Sequence, residues 1–304
     1  MKKILPLIMS FILIIFISGC GESMFAAGGN DQSPEAKESI IIKAFMDKDY
    51  DKILSLYSNN YSTFSNEDAY NYVSALLGKG GFDILNGIDY FLGSNQGSTD
   101  DMYSMFYTLI GINNTTANSQ NVINNAKRFF DEAAIVCNTV SCIRLGGQFT
   151  YNDDGTTSCS VKAADSTVNT VDNNTAFVCS LSGGFGTVTN VSNTVKNLAE
   201  KACLNLDGID LTSQAGLSEV INQLQTQSNL ESTIQQLTDN DIKDLANTLN
   251  NLNSNISNLE SIVGDVAEVD KLFEDFVSPT GDFTTTSVKN GLNNYLTGFG
   301  GTQK

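Results

Sequence analysis

Cysteine carries the most reactive side chains in this sequence, and the five at 137, 142, 159, 179 and 203 raise the question of thiol chemistry first. A thiol becomes a nucleophile or redox centre when a nearby cation or a Cys-X-X-Cys arrangement lowers its pKa. No Cys-X-X-Cys is present, and Arg144 beside Cys142 is the only hint of a cation. Four-cysteine zinc binding needs paired short spacings that are missing here. Histidine is absent altogether, so Ser-His-Asp triads, Cys-His pairs, HExxH zinc sites and two-His iron sites are excluded.

Carboxylates are plentiful, but their settings read as turns and caps. Asn152-Asp153-Asp154-Gly155 and Asn205-Leu206-Asp207-Gly208-Ile209-Asp210 lack the alternating oxygen ligands and distal Glu of a calcium loop, and turn chemistry accounts for both. Asp100 and Asp101 follow Ser98-Thr99 as a helix cap; the sequence shows no facing carboxyl pair for glycoside hydrolysis, and the absence of tryptophan weakens that reading because sugar clefts often stack on indoles. Gly183-Gly184-Phe185-Gly186 and Gly298-Phe299-Gly300-Gly301 carry no Lys-Ser/Thr to cradle phosphate and read as loops. No metal or cofactor is expected.

The amino-terminal residues point to a destination. Lys2 and Lys3 precede a nearly unbroken apolar stretch over residues 4–17, too short for a comfortable membrane span and followed by Ile17-Ser18-Gly19-Cys20. This ending resembles the lipobox of bacterial lipoproteins. The resemblance implies removal of residues 1–19, lipidation of Cys20 on sulfur, acylation of its new amine, and a bilayer as partner. Two or three acyl chains, each buried methylene contributing about 0.8 kcal/mol, would make the anchor effectively permanent. Gly21 is not the Asp that usually accompanies inner-membrane retention, so the outer membrane is the favoured address, facing either the periplasm or the exterior. Residues 20–32 then form a small, polar, flexible tether of roughly 40 Å when extended.

Removal of Lys2 and Lys3, and of no acid, takes the formal charge from −17 to −19. With arginine only at 128 and 144 and no lysine-rich stripe, nucleic acid is not an expected partner. Acidity of this kind keeps a tethered domain soluble. Asparagine is abundant, a bias that an AT-rich genome produces without functional demand.

Export places the cysteines where disulfides persist, so two bridges and one spare thiol are expected. Residues 148–151 and 156–162 read as strands around an Asp-Gly turn, with residues 176–181 as a third. Cys159 and Cys179 then lie on neighbouring strands and form the first expected pair. Cys137 and Cys203, each ending a helix that brackets the sheet, form the second, in competition with a local Cys137 to Cys142 link.

The remainder is helical. Ser33-Pro34-Glu35 and Ser65-Asn66-Glu67-Asp68 are N-terminal caps with early acids. Between residues 33 and 92 two stretches echo one another: Ala44 recurs as Ala75 after 31 residues, and Tyr50 as Phe82 after 32. This is similar to a degenerate tetratricopeptide repeat, in which a small residue marks the helix crossing and an aromatic opens the second helix. Helices also follow at 82–92, 102–110, 116–134, 191–203, 213–225, 230–237, 240–263, 266–277 and 287–296. In the longest, Ile242, Leu245, Leu249, Leu252, Ile256, Leu259 and Val263 make a heptad seam whose mostly uncharged flanks favour an intramolecular bundle.

The expected fold is therefore mainly α: helical hairpins or a bundle, with tetratricopeptide-like stacking as one form, and a small disulfide-linked antiparallel β insertion. Its divisions are a signal peptide (1–19), lipidated tether (20–32), helical region (33–137), β insertion (138–183) and C-terminal helical region (184–304). The leading functional expectation is a non-enzymatic scaffold or protein- or peptide-binding lipoprotein, with a groove on residues 33–137 as the place for a ligand. An envelope hydrolase using carboxylates or calcium, and a surface-exposed structural or adhesion lipoprotein, are the alternatives.

Overall fold

A computed structural model describes residues 33–82, 107, 109–111, 119–153, 155–161, 171–227, 230–263 and 283–298. Cys20, the expected helices at 82–92, 102–110 and 266–277, and the Asp100-Asp101 cap lie wholly or largely outside these residues. Nine α-helices and one hairpin make up the described part. They are α1 (Pro34–Met46), α2 (Tyr50–Leu54), α3 (Asn66–Lys79), α4 (Ser119–Arg144), β1 (Gly147–Tyr151), β2 (Thr157–Val161), α5 (Asn173–Lys201), α6 (Gln214–Gln225), α7 (Leu230–Gln235), α8 (Asp239–Val263) and α9 (Thr285–Gly298).

The first helices start where their caps dictate. Ser33 accepts a hydrogen bond from the Ala36 N–H with Pro34 in the first turn, and Asp49 accepts one from the Lys52 N–H at the head of α2. Ser65 and Asp68 complete a reciprocal capping box on α3. Ala44, Ile53 and Ala75 then meet in a small apolar cluster, so the echoed alanines lie where α1, α2 and α3 pack. The Gly78 Cα lies so close to the Tyr50 ring that a β-carbon there would collide with it.

Helix α5 is the spine of the molecule. Its first half contributes Val178, Cys179, Phe185 and Val188 to an apolar cluster shared with α3 and α4, whose fully enclosed members include Val73, Leu76, Phe130 and Val136. Its second half gives Val195, Leu198 and Ala199 to a second cluster with Leu217, Val220 and Leu224 of α6, Ile234 of α7, Ile242, Leu245 and Leu249 of α8, and Val288 of α9. The described part of the heptad seam is thus filled from within the same chain.

Two expectations fail along α5. Residues 176–181 are helical, not a strand, and Gly183-Gly184-Phe185-Gly186 lies inside the helix instead of in a loop. The Asp172 carboxylate caps the Thr175 N–H at 2.8 Å and starts the helix upstream of both segments. Each glycine costs a helix about 1 kcal/mol relative to alanine, and close packing offsets that cost. A β-carbon on Gly183 would stand 3.0 Å from the Leu252 nitrogen, and one on Gly186 2.5 Å from Thr248 Cγ2. Only bare backbone lets α8 approach this near.

The hairpin is antiparallel, with Phe149 opposite Cys159 and Tyr151 opposite Thr157. Its Asp-Gly turn places Gly155 at φ +80°, with the Gly155 N–H donating to Asn152 O at 2.9 Å. The α4 helix runs unbroken past residue 137 to Arg144, and α5 begins at Asn173, so the sheet itself is confined to a shorter stretch than residues 138–183.

Three asparagines of α8 tie these parts together. Asn247 Oδ1 accepts from the Thr157 N–H at 2.8 Å, its Nδ2 donates to Gly155 O at 3.2 Å, and its own carbonyl accepts from Asn138 Nδ2 on α4 at 3.1 Å. Asn250 Oδ1 accepts from the Phe283 N–H while its Nδ2 donates to Phe283 O, both at 2.9 Å, and more weakly to Thr157 O. Asn251 Nδ2 donates to Cys179 O at 2.9 Å and to Ser182 Oγ at 3.0 Å on α5. All three are buried, so removal of one strands its partners away from water. Asn247→Ala is expected to lower unfolding free energy by about 2–4 kcal/mol, whereas Asn222→Ala on the exposed face of α6 changes it by less than about 0.5 kcal/mol. Urea denaturation of the oxidised protein checks both.

Candidate functional site

The cysteines are joined differently from the expected pairs. Cys137 is bonded to Cys179, Cys142 to Cys159, and Cys203 is free and exposed. The Cys159 to Cys179 pairing fails because Cys179 is on a helix packed against α4, not on a strand beside β2. Cys137 to Cys203 fails because Cys137 lies in the body of α4, facing the start of α5, while Cys203 follows the far end of that helix. A helical Cys137 and Cys142, five residues apart, project in different directions. One bridge therefore staples α4 to α5 and the other fastens the hairpin to the end of α4. Loops of 42 and 17 residues are closed, contributing about 4 and about 3 kcal/mol on the chain-entropy model. Peptide mapping without reductant is expected to return these two cross-linked pairs, with Cys203 the body cysteine that alkylates in the native state.

Charge is concentrated where α4, α5 and α8 converge. Lys127 Nζ stands 2.6 Å from Asp131 Oδ2 and 2.6 Å from Asp244 Oδ2. Asp131 Oδ1 accepts from Asn190 Nδ2 of α5 at 2.7 Å, and the same amide donates to Gly186 O. One cation thus serves two carboxylates in a largely water-excluded junction between the two apolar clusters. Burial pushes the Asp131 carboxyl up to about 6; Asp244 adds to the rise, and Lys127 and Asn190 oppose it. Burial works against the Lys127 ammonium, yet the two carboxylates overcome this and raise its pKa.

A carboxyl with a folded pKa above its unfolded value contributes stability fully present below the unfolded value of 3.8 and lost as pH rises through about 6. Asp131→Asn is expected to flatten the stability profile between pH 4 and 7 at little cost at pH 7. Lys127→Met leaves two facing carboxylates and is expected to cost about 3–5 kcal/mol at pH 7 and less at pH 5. Thermal unfolding across that range distinguishes the two variants.

A third cluster forms at Glu132, the residue of α4 that follows Asp131. The Tyr61 and Tyr72 hydroxyls both donate to Glu132 Oε1, at 3.1 and 2.8 Å. Tyr57, Phe64, Tyr61 and Tyr72 pack ring against ring at 5.4 to 5.8 Å, and Lys37 lies 3.9 Å over the Tyr57 ring. Burial pushes the Tyr61 phenol up to about 12, and Tyr151 of the hairpin is close enough to add to the rise. Arg144 Nη2 donates to Phe64 O at 3.0 Å, tying this aromatic corner to the end of α4.

The side-chain oxygens of Asn205 and Asp210 serve local turns, as their setting in the sequence suggests. Asn205 Oδ1 accepts from the Asp207 N–H, and Asp210 Oδ1 from the Thr212 N–H and hydroxyl. Among the described residues no three His, Cys, Asp or Glu side chains are grouped to hold a metal ion. Two surface depressions of about 490 and 480 Å³, one lined by residues 171–174 and the other by the outer face of α6, are wide open to solvent. Sequence reasoning missed the Lys127 junction, although the four-residue step from Lys127 to Asp131 was its one local signal; Asp244 and Asn190 join only in the tertiary fold. No family model, curated protein or solved structure matches the chain.

Proposed function

We propose that the chain is a bacterial envelope lipoprotein, held at the outer membrane by acylated Cys20, whose helical body is a non-enzymatic scaffold or protein-binding module. The observation that carries this reading is the pair of disulfides in the body, since such bonds persist in exported proteins and are rare in reducing compartments. The lipobox-like Ile17-Ser18-Gly19-Cys20 supports the same destination from an independent part of the sequence. Among the described residues no helix is long and apolar enough to cross a membrane, so an anchor for this body would lie elsewhere in the chain.

A binding role fits how the polar groups are used. Lys127, Asp131, Asp244 and the α8 asparagines are committed to one another and to backbone, joining helices. The packing of α1, α2 and α3 around Ala44 and Ala75 supports a tetratricopeptide-like face for a peptide or protein. Metabolic labelling with an alkynyl fatty acid tests the anchor. Wild-type protein is expected to incorporate label and enter the detergent phase, whereas Cys20→Ser stays unlabelled with its leader uncleaved. Label on the serine variant, or none on the wild type, overturns the proposal.

A further inference from the structure

The two edges of the hairpin are not equivalent. In an antiparallel ladder the N–H and C=O of one residue point to the same side, and that side alternates along the strand. At Thr157 both groups turn away from β1: the N–H donates to Asn247 Oδ1 and the carbonyl accepts from Asn250 Nδ2. At Thr157, side-chain amides of α8 therefore take the place of a neighbouring strand on the outer side of β2. The opposed residue Tyr151 must direct its own N–H and C=O outward from β1, and so must Phe149 and Gly147 at two-residue steps along the register. Among the described residues, the backbone groups of Phe149 and Tyr151 meet no partner on that side.

Nothing on β1 guards this edge. Protected edges carry lysine, proline or a bulge, whereas Gly147-Gln148-Phe149-Thr150-Tyr151 has none of these and pairs one to one with β2. Gln148 and Thr150 are exposed, and Tyr151 retains 59% of its surface.

We infer that β1 is a self-association edge, pairing antiparallel with β1 of a second copy to continue the hairpin into a four-stranded sheet. The strand is complementary to itself about Phe149. Phe149 faces Phe149, Gln148 faces Thr150, and Gly147 faces Tyr151 of the second copy. The outward backbone groups of Gly147, Phe149 and Tyr151 then exchange hydrogen bonds at every pair they form. Charge selects the same orientation: Arg144 precedes the strand and Asp153 follows it, so antiparallel docking brings unlike charges together and parallel docking like ones. The acidity of the rest of the chain is screened beyond roughly 8 Å at physiological ionic strength.

The test is sedimentation equilibrium of the purified full chain in density-matched detergent, at roughly 10–100 μM, within the usual range for weak assemblies. The wild type is expected to populate a dimer. Gln148→Lys with Thr150→Lys sets like charges opposite one another on the solvent face and is expected to weaken association by roughly tenfold or more. Gln148→Lys with Thr150→Glu opposes lysine to glutamate across the two copies and is expected to restore it. Far-UV circular dichroism checks that both variants keep the wild-type fold. A monomeric wild type, a dimer insensitive to the first variant, or failure of the charge-swapped variant to recover overturns the inference. Self-association is read independently of lipid labelling at Cys20, so either proposal can fail alone.

Discussion

A side-chain amide can donate and accept at once, and the architecture depends on three such amides lined along the inner face of α8. Asn247, Asn250 and Asn251 reach, in turn, the hairpin and α4, the segment entering α9, and the backbone of α5. Every one of these partners is a group that burial would otherwise leave without water. A leucine at Asn247 or Asn250 would add apolar contact and orphan the Thr157 or Phe283 N–H, which explains why a helix seated in a core carries so polar a face. The network also specifies register, because a one-residue slide of α8 would misplace all three amides together.

Around that network the remaining interactions divide the work. The disulfides act on the unfolded chain by closing loops, the apolar clusters supply most of the driving force, and the Lys127 junction fills the polar gap between clusters. The junction is a poor stabiliser at neutral pH, since one ammonium must compensate two poorly solvated carboxylates. It adjoins the thin tract of α5: Gly186 must lack a side chain for α8 to approach, and its carbonyl accepts from the Asn190 amide that also holds Asp131.

Local chemistry was legible in the sequence wherever it was self-sufficient. The Ser33-Pro34 start, the Ser65 to Asp68 capping box and the Asp-Gly hairpin each consist of neighbours in the chain, and each formed as their residue types dictate. The described part of the heptad seam packed inside the molecule as its uncharged flanks suggested. What escaped was set by partners far away. Residues 176–181 look like a strand until the Asp172 cap and the α4 neighbour are known, and Gly183 to Gly186 look like a loop until Leu252 and Thr248 press on them. That one misread helix also misdirected the cysteine pairing. Asparagine abundance, taken as a compositional bias, proved to include the residues that organise the core.

The order of the bonded cysteines along the chain has a consequence for maturation. The native bridges are nested, with Cys142–Cys159 inside Cys137–Cys179. A polypeptide emerging amino end first presents Cys137 and Cys142 together, well before either true partner follows. A bond between those two would be non-native, so the native pattern requires Cys137 to remain available until the spine helix lies beside it. The outer bond thus closes only across α4 and α5 laid side by side, and its presence reports that those two long helices have docked.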